Sequence, residues 1–195
     1  MAPSKEIEIK FWIDHPRVLQ QAARAARFRL VTKPTHEFNT LYDLPGNPLR
    51  RRGEVLRLRR YGKSWLFTHK ARAVSGRHKS RVETQTAVED GASMHAILTG
   101  LKFRPVFRYE KFRSEWTDGT GHLVMDRTPV GNIAELEGPP GWIDRTAKLL
   151  GVGRKDYVTK SYSEVFFDWK KKTGSRAADM TFDEVRKHPG RKVNP

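Results

Sequence analysis

The chain has 195 residues, enough for one domain with a sizeable core, and 38 Lys and Arg against 22 Asp and Glu give it a formal net charge of +16. It has no cysteine, which excludes disulfides and thiolate metal sites. The sequence has neither a signal-like segment nor a membrane-length apolar run, so we expect a cytoplasmic protein that has no membrane partner.

The positive charge favours polyanionic partners, unless it reflects only a generally basic surface. Nucleic acid is possible as such a partner but is not favoured. The sequence gives no indication of the oligomeric state.

The first strand-like run, over 6–12, alternates charged and apolar side chains. Glu6, Glu8 and Lys10 project from one face, and apolar side chains from the other. A solvated surface strand would explain this run taken alone. A helix over about 16–29 follows, which Asp14 could cap and Pro16 could begin, and its apolar stripe should cover the outer face of the first strand.

The same alternation, with complementary charges, recurs along the chain. Further strands are predicted over 37–43, 54–60, 65–72, 79–88, 106–116, 121–126, 133–137 and 158–169, the last one closing the sheet. Two more helices are predicted over about 92–100 and 142–150. Repeated strands with a doubly charged face indicate an α+β fold: an antiparallel eight-stranded β-barrel with inward charges and about three helices packed outside.

The domain is predicted to span 1–169, because the character of the chain changes at Lys170. Residues 170–195 are polar and basic without sustained periodicity. We expect a disordered tail there, with one helical turn near 182–186.

Charges inside a barrel are costly unless they are paired or bind ions. The glutamate pairs Glu6/Glu8 and Glu135/Glu137 would repel each other across the lumen without cations, and carboxylate oxygens favour Mg²⁺ or Mn²⁺. Glu83 and Asp126 are further candidate ligands. The residues expected to bind phosphate oxygens are Lys10, Arg57, Arg59, Lys70, Lys111, Arg113 and Lys160. Together these sets indicate phosphoryl or nucleotidyl chemistry.

The ordered series of motifs resembles the CYTH domain, or triphosphate tunnel metalloenzyme, superfamily over roughly residues 5–169. It consists of Glu6-x-Glu8-x-Lys10, Leu56-Arg57-Leu58-Arg59, Phe67-Thr68-His69-Lys70, Lys111-x-Arg113, Asp126, Glu135-x-Glu137 and Thr159-Lys160-Ser161-Tyr162. Members include class IV adenylyl cyclases, inorganic and thiamine triphosphatases and fungal-type RNA triphosphatases.

The resemblance implies a tunnel with acidic residues on one side and basic residues on the other. It implies a metal-dependent enzyme acting on a triphosphate or nucleoside triphosphate, with Glu6, Glu8, Lys10, Glu135 and Glu137 as catalytic residues. One departure lies in the strand over 79–88, where Val82 and Gln85 stand at positions that often carry carboxylates in the family.

Three functions remain open from the sequence. A hydrolase would direct water at the terminal phosphorus, whereas a class IV cyclase would direct the ATP 3′-hydroxyl at the α-phosphorus and release pyrophosphate. The named residues would serve either reaction, and no adenine pocket is identifiable. The third is a non-catalytic polyanion or RNA-binding module, which the net charge suggests but the inward glutamates disfavour.

Overall fold

The computed structural model describes residues 3–74 and 76–191. Eight antiparallel strands form a closed barrel in the order β1-β5-β4-β3-β2-β6-β7-β8. The strands are β1 (Ser4–Trp12), β2 (Arg29–Asp43), β3 (Val55–Tyr61), β4 (Ser64–Lys70), β5 (Lys79–Val88), β6 (Arg104–Thr117), β7 (His122–Thr128) and β8 (Gly131–Glu137).

Six helices of the described chain pack around this barrel. They are α1 (Pro16–Ala25), α2 (Pro48–Arg52), α3 (Gly91–Gly100), α4 (Pro140–Leu149), α5 (Tyr162–Thr173) and α6 (Phe182–Lys187), with a 3₁₀ turn at Arg154–Asp156. The predicted barrel is confirmed, but the expected number of about three helices is wrong. No helix among the described residues combines the length and apolarity needed to cross a membrane.

Closure of the barrel depends on β1, which pairs with β5 on one side and β8 on the other. Glu8 lies opposite Lys79 in one pairing and opposite Glu137 in the other. Because side chains alternate along a strand, the same register turns Ile9 and Phe11 outward. They are buried there with residues of α1 and α4, in the core cluster on the outside of the barrel.

Helix α1 is shorter than predicted and ends at Ala25. Arg27 adopts a left-handed conformation (φ 64°), and the Phe28 N–H donates to the Ala23 carbonyl, which turns the chain into β2. The start at Pro16 is confirmed, but Asp14 is not the cap, since His15 holds that position without a side-chain hydrogen bond.

The predicted closing strand over 158–169 is wrong, because most of this segment belongs to α5. The Ser161 hydroxyl accepts from the Glu164 N–H, and the Glu164 carboxylate accepts from the Ser161 N–H. This capping box satisfies two backbone donors at a helix start, which extended chain would not do. Only Val158 bridges β1, at Lys10.

Helix α5 covers one end of the barrel. Its Tyr162 and Phe166 are buried with Phe107, Tyr109 and Ile133. Side chains alternate along a strand, so Phe107 and Tyr109 of β6 and Ile133 of β8 face inward, in line with the charged residues of the same strands. The apolar cluster therefore closes the lumen where the charged rows end.

The C-terminal segment folds on the barrel, so the predicted disorder is wrong for residues 170–191. The Met180 N–H donates to Arg108, and the Glu110 N–H donates to Met180. Ala177 and Met180 are fully buried, and the predicted helical turn near 182–186 is present as α6. A boundary at 169 would cut α5. Residues 192–195 of the predicted tail lie outside the described residues.

Candidate active site

The barrel lumen contains a cavity of about 540 Å³ whose wall is dominated by charged side chains. Inward-facing positions of six strands supply all of them except Lys5, as the alternating patterns predict. The acidic lining residues are Glu6, Glu8, Glu83, Glu115, Glu135 and Glu137, and the basic ones are Lys5, Lys10, Arg57, Arg59, Lys70, Lys79, Arg81, Lys111 and Arg113. The excess of bases is modest, because two further acids, Glu37 and Asp126, are buried within ion-pair distance of the lining cations.

Glu137 stands out among the acids because its carboxylate takes part in no ion pair or hydrogen bond in the part of the chain described. Burial raises its pKa to about 7, and repulsion from Glu6, Glu135 and Glu8 adds to the effect. Glu6 behaves in the opposite way. The Lys70 and Arg81 cations overcome its burial and lower its pKa to about 2.

Lys10 joins the two glutamate-bearing strands. Its Nζ lies 2.7 Å from Glu8 Oε1 and 3.4 Å from Glu135 Oε1. Burial opposes its charge, but these carboxylates hold the pKa of Lys10 above its ordinary value. Lys10 therefore stays protonated, and its charge is largely committed to the two carboxylates.

Asp126 anchors the cations of β6. Its carboxylate is 1% exposed and accepts hydrogen bonds from Lys111 Nζ (2.9 Å), Arg113 Nε (2.8 Å) and the Tyr162 hydroxyl. Arg113 also donates to Glu135 Oε2 at 2.6 Å. Asp126 is absent from the cavity wall, so the geometry does not favour its prediction as a metal ligand.

The two inward-facing arginines of β3, Arg57 and Arg59, are more loosely compensated. Arg57 donates to the Tyr109 hydroxyl at 3.3 Å and lies 3.9 Å from Glu83, while Arg59 donates to Gln85 at 3.0 Å. The Nε atoms of both arginines are buried and have no hydrogen-bond partner within residues 3–74 and 76–191. Burial and the neighbouring Arg57 lower the pKa of Arg59. Both guanidinium groups therefore retain donors for an anionic ligand.

The structure does not bring Lys160 to the cavity, which corrects its prediction as a phosphate ligand. Its Nζ pairs with Asp168 on α5, and its side chain is 54% exposed. The reason is local, because the chain turns into α5 directly after it, at the N-cap Ser161. The same motif instead contributes Ser161 and Tyr162 to the cavity wall, and the next residue, Ser163, lines it as well.

Sequence reasoning did not assign Glu37 or Lys79 to the site. Lys79 is 5% exposed, and its Nζ lies 3.7 Å from Glu8 Oε1. Burial, together with Lys10 and Arg81, lowers the pKa of Lys79 to about 8. Lys79 lies two residues before Arg81 on β5, and this spacing predicts that both side chains face inward. Glu37 had no comparable signal, because the inward positions that follow it on β2, Asn39 and Leu41, are uncharged.

The four predicted metal ligands, Glu6, Glu8, Glu135 and Glu137, line the same cavity. Within residues 3–74 and 76–191, however, no three carboxylate or histidine side chains form a group able to hold a metal by themselves. Mg²⁺ usually takes only one or two carboxylates together with substrate phosphates and water. The uncompensated Glu137 beside Glu8 fits such an open oxygen site.

The chain belongs to the CYTH domain family, whose model matches residues 4–138. The candidate adenylate cyclase MJ0240 of Methanocaldococcus jannaschii is 22% identical over 171 residues, which cover 82% of this chain and 97% of that protein.

Two solved structures share the fold. A candidate adenylate cyclase from Vibrio parahaemolyticus has a TM-score of 0.71 at 18% identity, covering 83% of this chain and 97% of that one. The candidate adenylyl cyclase HpAC1 from Hippeastrum is described as having a dominant triphosphatase activity. Its TM-score is 0.62 at 20% identity, and the match covers 84% of this chain and 95% of that one.

Proposed function

We propose that this protein is a divalent-metal-dependent enzyme that acts on a triphosphate substrate, with hydrolysis as its best-supported reaction. One observation carries the proposal: the lumen has incompletely compensated charge of both signs at different places. Arg57 and Arg59 keep free donors, whereas Glu137 lacks a cation. A polyphosphate held together with a metal ion would satisfy both.

In this proposal Arg57, Arg59 and Arg113 grip phosphate oxygens, since a guanidinium can donate to two oxygens at once. Lys70 and Lys111 add positive charge beside them, and Lys10 keeps Glu8 and Glu135 in place. Glu137 and Glu8 would hold the Mg²⁺ or Mn²⁺ ion, with Glu6 and Glu135 close by. A bound divalent ion neutralises phosphate charge and makes a coordinated water more acidic.

Hydrolysis is favoured over cyclisation by the composition of the cavity wall. A cyclase must also hold an adenine ring, yet the aromatic Tyr109 and Tyr162 are buried against each other at 5.6 Å between ring centres. The M. jannaschii and V. parahaemolyticus relatives, both candidate adenylate cyclases, support cyclisation as the second candidate. The description of the Hippeastrum protein supports hydrolysis.

Product analysis distinguishes these reactions. Purified protein is incubated with inorganic triphosphate and with ATP, each with Mg²⁺ or Mn²⁺. Orthophosphate release from inorganic triphosphate is expected, and E137Q serves as the matched control that should not release it. Cyclic AMP and pyrophosphate from ATP would instead establish the cyclase.

Absence of any product, combined with metal-independent RNA binding, would support the polyanion-binding alternative. That alternative rests on the net charge of +16. The buried glutamates count against it, because they repel phosphate unless a cation intervenes.

We also propose that this enzyme is located in the cytoplasm.

A further inference from the structure

The fully buried carboxylate of Glu37 has no role in the proposed function. Glu37 lies on β2, the strand between β3 and β6, which carry most of the phosphate-gripping cations. Its register places it opposite Tyr61 on one side and Lys111 on the other. An isolated buried carboxylate is costly, so its surroundings must stabilise it.

Three cations surround Glu37 without binding it tightly. Its carboxylate oxygens lie 3.5 Å from Lys111 Nζ, 3.5 Å from an Arg59 nitrogen and 3.9 Å from Arg113 Nε. Among the described residues, Asn39 alone donates a short hydrogen bond, at 2.9 Å to Oε1, and Oε2 has no hydrogen-bond partner. Although burial acts against ionisation, the cations hold the pKa of Glu37 well below its ordinary value. Glu37 is therefore a carboxylate anion.

Arg59 depends on Glu37 more than the other two cations do. Lys111 and Arg113 both have a closer carboxylate in Asp126. Among the described residues, Arg59 has no carboxylate within 4 Å except that of Glu37. Arg59 also lies beside Arg57, whose charge repels it. Without the charge of Glu37, the contacts left to hold Arg59 in the described chain would be its hydrogen bond to Gln85 and its position over the Tyr61 ring, 5.8 Å from the ring centre.

We propose that Glu37 is a positioning residue whose charge keeps the Arg59 guanidinium aimed into the lumen, with Asn39 fixing the carboxylate. The loose 3.5 Å contact steadies Arg59 while leaving its donors available for a phosphate. This inference rests on the proposed triphosphate chemistry. It assigns Glu37 no contact with the substrate.

The test is a double-mutant cycle of E37Q and R59Q, with inorganic triphosphate and Mg²⁺ or Mn²⁺. E37Q alone should lower kcat about tenfold or more, because preorganised charge acts most strongly in the transition state. The Kd for triphosphate should change less than threefold, since removing a negative charge near the phosphates offsets the poorer placement of Arg59. In the R59Q background, E37Q should change kcat by less than twofold.

D43N is the matched control, because Asp43 is a buried carboxylate on the same strand whose hydrogen bonds in the described chain all come from backbone N–H groups, those of Leu44 and of Leu49 and Arg50 in α2. It should lower stability without changing kcat per folded molecule. A change in kcat below twofold in E37Q, or an equal loss in both backgrounds, would overturn the inference while leaving the proposed function standing. If the unaltered protein neither binds nor converts triphosphate, the proposed function fails and the inference fails with it.

Discussion

At the scale of single residues, Glu137 should make stability depend on pH. Its pKa is 4.5 in the unfolded chain and about 7 in the fold, so the native state binds the extra proton between these values. Stability therefore falls as pH rises from 4.5 to 7. E137Q removes this penalty and should stabilise the metal-free protein at pH 8 by at most about 3 kcal/mol, and much less at pH 5.

Urea unfolding at both pH values checks this prediction. E115Q is the control, since Glu115 lines the same cavity but accepts hydrogen bonds from Tyr61 and Thr32. It should give no stabilisation at pH 8. The same gain from E137Q at pH 5 and pH 8 would contradict repulsion as the cause.

Substitutions of Arg57 and Arg113 should separate effects on triphosphate binding from effects on folding stability. R57A should weaken triphosphate binding by about 1.5–3 kcal/mol with little effect on folding. In the described chain the carboxylate nearest to Arg57 is that of Glu83 at 3.9 Å, and Glu83 keeps its closer partner Lys70, at 2.6 Å, when Arg57 is removed. R113A should destabilise the fold by about 3–5 kcal/mol, because it leaves Asp126 and Glu135 buried without this cation. Calorimetry and denaturation measure the two effects.

R57K completes the arginine series. It should recover only part of the affinity, since an ammonium group cannot grip two oxygens in one plane. Full affinity in R57A would mean that the substrate lies elsewhere in the lumen.

At the scale of elements, α5 is the segment whose role differs most from expectation. Two adjacent phenylalanines test whether it belongs to the core: Phe166 is fully buried, and Phe167 is 41% exposed. F166A should cost about 3–5 kcal/mol and F167A about 1 kcal/mol. Chemical denaturation compares them, and equal small losses would mean that α5 is not part of the cooperative core.

At the scale of the whole molecule, metal and triphosphate should stabilise the protein together. At a concentration one hundred times its Kd, a ligand adds about 2.7 kcal/mol. For a chain of this length that corresponds to a rise in Tm of about 5–10 °C. The rise should need both components and should be largely lost in E8Q. An equal rise with RNA and no metal would favour the polyanion-binding alternative.

The sequence by itself determined the strands and their inward faces. Alternation along Glu6–Lys10, Arg57–Arg59 and Lys111–Arg113 is a local property, so it predicts which side chains share a face wherever the strand lies. The rows of charge could be buried together only in a closed lumen, which is why the barrel was predictable. The start of α5 was also encoded locally, by the capping pair Ser161 and Glu164, but the apolar residues of the helix have a pattern that was interpreted as a strand.

Only the tertiary structure decided the state of each charge, because ion pairing depends on which strands are neighbours and in what register. The register of β1 with β8 sets Glu137 against Glu8 and leaves it without a cation. The position of β2 between β3 and β6 places Glu37 among cations far from it in sequence. Lys160 failed as a site residue for a related reason: the helix that follows it carries its partner, Asp168, outside the lumen.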